Sequence, residues 1–191
     1  MPVAVLFTRE RSCYGRFPDV DLYPKSRDAL TFPGGMPVVA HPPCRAWGRY
    51  RHKAKASVAE RDLAFFAIEQ VRQNGGVLEH PSGSRLWAEA GLPLPGRAPD
   101  RFGGYSLSIE QRWFGHRAIK PTWLYLCGVP CEPARPAWVC AQPIPVEHMG
   151  RAERERTPLP LAAWLLAMAR EVSAPPPCLN MPIVVSPQEC A

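Results

Sequence analysis

Between Pro37 and Pro81 the chain reads as one strand–helix–strand unit, and no other stretch limits the fold as strongly. Pro37-Val38-Val39-Ala40 is a short continuous apolar run, the pattern of a strand buried on both faces. Ser57-Val58-Ala59-Glu60 is a capping box, in which serine and glutamate can each satisfy the other's orphan backbone N–H. The helix it opens carries Leu63, Ala67 and Val71 on one face, with Ala64, Phe66 and Ile68 beside them. Asn74-Gly75-Gly76 predicts a left-handed stop. Val77-Leu78 then forms a brief strand that runs into Glu79-His80-Pro81. Strand, helix and strand over this length make a right-handed crossover between parallel neighbours, so the fold class is α/β.

The remaining segments extend that sheet. Pro2 to Thr8 is another buried apolar run, and Val20 to Tyr23 is a candidate short strand. Residues 88–104 form a Gly/Pro-rich loop. Tyr105 to Trp113 and Thr122 to Val129 carry strand-like residues, and Phe114-Gly115-His116 and Lys120-Pro121 between them predict an antiparallel hairpin. Thr157-Pro158 reads as an N-cap with a first-turn proline, opening a helix through Arg170 whose core residues are Leu161, Trp164, Leu165 and Met168. The 24 prolines cluster in residues 93–99, 130–145 and 175–187, which read as loops and a tail. Residues 1–172 are therefore assigned to a single α/β domain and residues 173–191 to a Pro-rich C-terminal tail.

Charge and cysteine content narrow the setting. A net charge of +6, carried mostly by arginine, suits an anionic partner such as nucleic acid or a nucleotide. An odd count of seven cysteines, with no charged leader before an apolar segment, points to reduced thiols in the cytoplasm. No apolar run is long enough to span a bilayer, so no membrane association is expected. Cys127, Cys131, Cys140 and His148 have a spacing loosely compatible with zinc, but it matches no familiar module and no metal is expected. Arg151, Arg154 and Arg156 read as a charged face before the last helix.

Chemistry concentrates where the strands end. His41-Pro42-Pro43-Cys44 halts one strand with two prolines that stiffen the loop presenting a thiol. Glu79 follows the next strand. A crossover helix brings both strand ends to one side of the sheet, so Cys44 and Glu79 are expected to face one pocket. His41 and His80 flank the two motifs and read as supporting hydrogen-bonding groups.

Here the sequence resembles the DNA cytosine-5 methyltransferases. Pro43-Cys44-Arg45-Ala46-Trp47-Gly48 stands where that family has Pro-Cys-Gln-x-x-Ser, and Glu79-His80-Pro81 echoes its Glu-Asn-Val motif. Phe114-Gly115 through Lys120, followed by Trp123-Leu124-Tyr125-Leu126, echoes a later one. The pattern is most similar to small members encoded by bacteriophages. The resemblance implies a compact Rossmann-like methyltransferase sheet with a C-terminal antiparallel hairpin, and a transferase that modifies DNA. Cys44 would attack C6 of a pyrimidine, Glu79 would stabilise the base, and Pro43, His41 and His80 would support them. Arg45 would help depress the Cys44 pKa. Arg45, Trp47, Arg49, Arg51, Lys53 and Lys120 would contact nucleic acid. S-adenosylmethionine is the implied cofactor, yet the family's Phe-x-Gly-x-Gly loop is replaced by Phe7-Thr8-Arg9-Glu10-Arg11-Ser12. Two alternatives stay open: a non-catalytic nucleic-acid-binding relative, on the ground of that absent glycine loop, and an enzyme acting on free pyrimidine nucleotides, since only about twenty Pro-rich residues (130–150) stand where the family inserts its target-recognition domain.

Overall fold

The computed structural model describes residues 1–49, 51–130, 143–145 and 148–172. Six strands are present: β1 (Val3–Thr8), β2 (Val20–Pro24), β3 (Val38–Ala40), β4 (Gly76–Pro81), β5 (Tyr105–Glu110) and β6 (Pro121–Cys127). They form one mixed sheet in the order β2-β1-β3-β4-β6-β5. The first four strands run parallel. β6 is antiparallel to both β4 and β5. The α/β class read from the sequence therefore holds.

Helices cover both faces. Alternation along the strands turns Ala4, Leu6, Val38, Ala40 and Leu78 toward α1 (Val58–Asn74), and Val3, Val5, Val39 and Val77 toward α4 (Leu159–Arg170). Two short helices, α2 (Leu86–Glu89) and α3 (Arg151–Arg154), complete the α-helices among the described residues, beside five short 3-10 turns. In α4, Leu161, Trp164, Leu165 and Met168 are buried as expected. Each such side chain contributes about 1.5–3 kcal/mol on burial. No helix among the described residues is long and apolar enough to cross a membrane.

Several local details differ from the sequence expectations. Ser57 does cap α1, its Oγ accepting from the Glu60 N–H at 3.1 Å, but the Glu60 carboxylate turns outward to the Arg45 guanidinium. Only half of the capping box forms, because an arginine competes for the acid. Gly75 stops the helix at φ 73° and ψ 164°, a positive φ outside the left-handed helical well. Glu79 lies inside β4 rather than after it, since β4 stays paired with β6 as far as Pro81. Pro158, not Thr157, is the N-cap of α4 and makes no side-chain cap, while the Thr157 carbonyl accepts from the Cys13 thiol at 3.5 Å. The tail assigned to residues 173–191 lies outside the described residues.

Gly76 fixes how closely β3 and β4 approach. Its φ is +127°, and a Cβ there would sit 2.0 Å from the Val38 carbonyl oxygen. The neighbouring Val38 N–H to Gly75 carbonyl bond is 3.0 Å long, so the backbone has little room to yield. Gly76→Ala should destabilise the fold by more than about 2 kcal/mol, read as a lower midpoint in urea unfolding.

Candidate active site

β1 has β2 on one side and β3 on the other, so the chain leaves it first one way and then the other. In a sheet of this kind a crevice opens beyond the carboxyl ends of the strands at that switch. A cleft of about 740 Å³ lies there, lined by residues that include His41, Pro42, Pro43, Cys44, Glu79 and Lys120. The structure thus brings Cys44 and Glu79 to one cleft across 35 positions of sequence.

The Pro-Pro-Cys turn is fixed at both ends. The His41 N–H donates to the Leu6 carbonyl at 3.2 Å, continuing the β3–β1 pairing past the last strand residue. The Cys44 carbonyl accepts from the N–H groups of Trp47 at 3.0 Å and Gly48 at 2.9 Å. Trp47 is buried, with 1% exposure, packed edge-on against Phe65 and under the Arg61 guanidinium. This corrects the expectation that Trp47 contacts nucleic acid: its ring anchors the turn to the core.

Glu79 points into the cleft on the α4 side of the sheet and is almost enclosed. Its Oε2 accepts from His41 Nδ1 at 3.0 Å, and its Oε1 accepts from Gln111 Nε2 at 2.8 Å. Gln111 Nε2 also donates to Thr122 Oγ1 at 3.0 Å. On its other side, His41 Nε2 is hydrogen-bonded with the Tyr14 hydroxyl at 2.9 Å. A continuous chain therefore runs Tyr14–His41–Glu79–Gln111–Thr122. Burial alone would raise the Glu79 pKa. The His41 hydrogen bond and charge, with Lys120 and His80, outweigh it and hold the carboxyl at about 2.

The thiol is tuned the other way. Cys44 keeps contact with solvent, but crowding around its sulfur raises the pKa, and the Glu79 charge raises it further. Lys120 offsets part of this. Arg45 does not depress it as expected, because its guanidinium is engaged by Glu60. Burial and the Glu79 charge thus both disfavour the Cys44 thiolate in the free protein.

The other anticipated residues are scattered. Arg45 and Lys120 line the cleft; Arg49, Arg51 and Lys53 are exposed and outside its lining. His80 faces the opposite side of β4 and is fully buried against Trp87, with neither ring nitrogen hydrogen-bonded among the described residues. Burial lowers its pKa to about 4, although the Glu79 charge and the nearby Pro43 backbone favour its charged form. Tyr14 and Gln111 were missed by sequence reasoning. Nothing in their local sequence signals a role; the turn after β1 brings the Tyr14 hydroxyl to His41, and the turn after β5 brings the Gln111 amide to Glu79.

Of the zinc candidates, Cys131 and Cys140 lie outside the described residues, and Cys127 is buried with its thiol donating to the Phe102 carbonyl at 3.2 Å. No group of three or more candidate metal ligands occurs among the described residues. No protein-family model matches the chain, and no curated protein is significantly similar to it.

Two measurements follow. The Cys44 alkylation rate should titrate above the ordinary thiol value of 9.0, and Glu79→Gln should bring that midpoint down by removing a neighbouring negative charge. Acid should also destabilise the fold in two stages. His80 is held below its ordinary 6.5, so stability falls from about pH 6.5 to 4 as the unfolded chain takes up the proton first. Glu79 is held below 4.5, so its contribution, on the order of 3 kcal/mol, is complete above that value and lost as pH falls toward 2. Unfolding free energies of His80→Phe and Glu79→Gln should flatten the upper and lower stages respectively.

Proposed function

We propose that the protein modifies pyrimidine bases of DNA by covalent attack, in the manner of the cytosine-5 methyltransferases, on a compact Rossmann-like sheet in which β5 and β6 supply the antiparallel hairpin. The observation that carries this reading is the meeting of a strand-end thiol and a buried, ionised carboxylate in one basic cleft at the topological switch. Cytosine presents its exocyclic amine as a donor, and Glu79 is a matching acceptor. His41 and Gln111 hold that acceptor in place, which limits its reorganisation when the base arrives.

Addition to the base and its reversal balance without a co-reactant. The sulfur of Cys44 bonds to C6, the C5=C6 double bond is consumed, and the thiol proton ends on C5. Reversal restores base and thiol. A net modification takes, in addition, an alkyl group from an electrophilic donor: the C5 carbanion forms the new bond, the donor's leaving group departs with the electron pair of the broken bond, and loss of the C5 proton to solvent base expels the thiolate. Lys120, beside both Cys44 and Glu79, favours the thiolate. A base in duplex DNA must leave the stack to reach the cleft.

The end of β1 and the residues after it suit S-adenosylmethionine poorly. Phe7 carries a positive φ of 61° where the family has a glycine turn nearby, and the cleft wall there is built from Thr8, Arg9 and Arg11. A cationic wall also repels a sulfonium. The same observation favours the second reading, a nucleic-acid-binding relative without catalysis.

Incubation with single-stranded DNA containing 5-fluorocytosine, with and without S-adenosylmethionine added as an alkyl donor, separates the two. The wild-type chain should form a denaturation-resistant adduct, increasingly fast as pH rises toward the thiol pKa, and Cys44→Ser should form none. A wild-type chain that binds the DNA without any cysteine-dependent adduct across that pH range would overturn the catalytic reading.

A further inference from the structure

The wall of the cleft away from Lys120 is cationic beyond anything base attack requires. Arg11 follows β1, Arg16 closes the turn Cys13–Arg16, Arg154 ends α3 and Arg156 lies just past it. All four line the cleft and are exposed. None is ion-paired with a carboxylate among the described residues, whereas Arg9 and Arg45 in the same cleft are neutralised by Glu155 and Glu60.

These residues come from distant parts of the chain and are held together deliberately. The Cys13 thiol donates to the Thr157 carbonyl at 3.5 Å, and the charges of Arg156 and Arg16 both act on that thiol. Arg9 fastens the end of β1 to α3, through the Ala152 carbonyl at 3.4 Å and the Glu155 carboxylate. Arg117 fastens α3 again through Glu153 at 2.7 Å. Glu155 acts electrostatically on Cys44, so this wall stands within reach of the thiol. Like charges gathered on one concave surface repel, and an anion seated among them removes that cost. Guanidinium forks match phosphate oxygens in geometry as well as charge. A cleft of about 740 Å³ has the size of small-ligand sites and accommodates one nucleotide.

We infer that Arg11, Arg16, Arg154 and Arg156 form a phosphate subsite, which holds the phosphate of the same pyrimidine nucleotide whose base lies against Cys44 and Glu79. The position of the base rests on the function proposed above; the phosphate binding does not. The phosphate can belong to a free nucleotide or to a phosphodiester of a single strand, and the test distinguishes these sources.

Calorimetry on the full chain would compare cytidine, cytidine monophosphate, a cytosine-containing single-stranded oligonucleotide and its duplex, each also scored for protection of Cys44 from alkylation. Cytidine monophosphate should bind at least about tenfold more tightly than cytidine and protect Cys44. The double variants Arg11→Gln/Arg16→Gln and Arg154→Gln/Arg156→Gln should each weaken phosphate-bearing ligands by about tenfold to hundredfold. Arg97→Gln, which removes the same charge outside the cleft, should change nothing, and circular dichroism checks that every variant is folded. If only the oligonucleotides bind, with the same arginine dependence, the subsite stands and its ligand is a phosphodiester. The inference is overturned if no phosphate-bearing ligand binds, or if the cleft variants bind all ligands as Arg97→Gln does. Arginine-dependent binding that persists in Cys44→Ser, with no adduct in the wild type, would remove the catalytic reading and leave the subsite intact.

Discussion

A carboxylate buried at a strand position is tolerated only when its charge is compensated nearby, and the compensation of Glu79 organises the whole cleft. His41 arrives from the end of β3, Gln111 from the turn after β5, Thr122 from β6 and Tyr14 from the turn after β1. Four segments are thereby registered against β4 at the edge where the apolar sheet gives way to the crevice. Removing Glu79 would strip His41 and Gln111 of an acceptor at once. The polar chain therefore defines the shape of the site as well as its charge.

That charge also sets the resting state of the thiol. Cys44 sits between a carboxylate that disfavours ionisation and a lysine that favours it, with crowding on the side of the carboxylate. A ligand that engages Glu79 through a donor group shields part of that field. On the proposed function, activation would thus accompany base binding, and the free protein would carry a comparatively inert thiol. The arginines beyond supply a positive field that steers anions to the cleft and weakens as salt increases.

Periodic features were the most legible in the sequence. The apolar runs of β1, β3 and β4 and the Ser57 cap each depend on neighbours within one turn or one strand, so local pattern suffices. The Cys44–Glu79 meeting was also legible, because parallel strands joined by a helix end on the same side. Misreadings arose wherever distant contacts decide. Trp47 beside arginines looks like a stacking residue, yet Phe65 and Arg61 from α1 enclose it. Arg45 looks like an activator of its neighbour until Glu60 is seen to hold it. Arg154 and Arg156 read as an ordinary charged face, since nothing in the local sequence says that α3 folds back beside the end of β1. Tyr14 and Gln111 carry no signal in the local sequence, because only the folding of the turns after β1 and β5 brings them to His41 and Glu79.

The anchoring of the Pro-Pro-Cys turn has a dynamic consequence. Most reactive loops open and close on their own, at a small fraction of the free energy of global unfolding. Here the segment from His41 to Gly48 is pinned to β1 at one end and carries a buried indole at the other. Freeing the turn would require drawing Trp47 out of the core, so its mobility belongs to the cooperative unit of α1 and the central strands. Chemical labelling of Cys44 therefore samples the native cleft rather than a frayed loop.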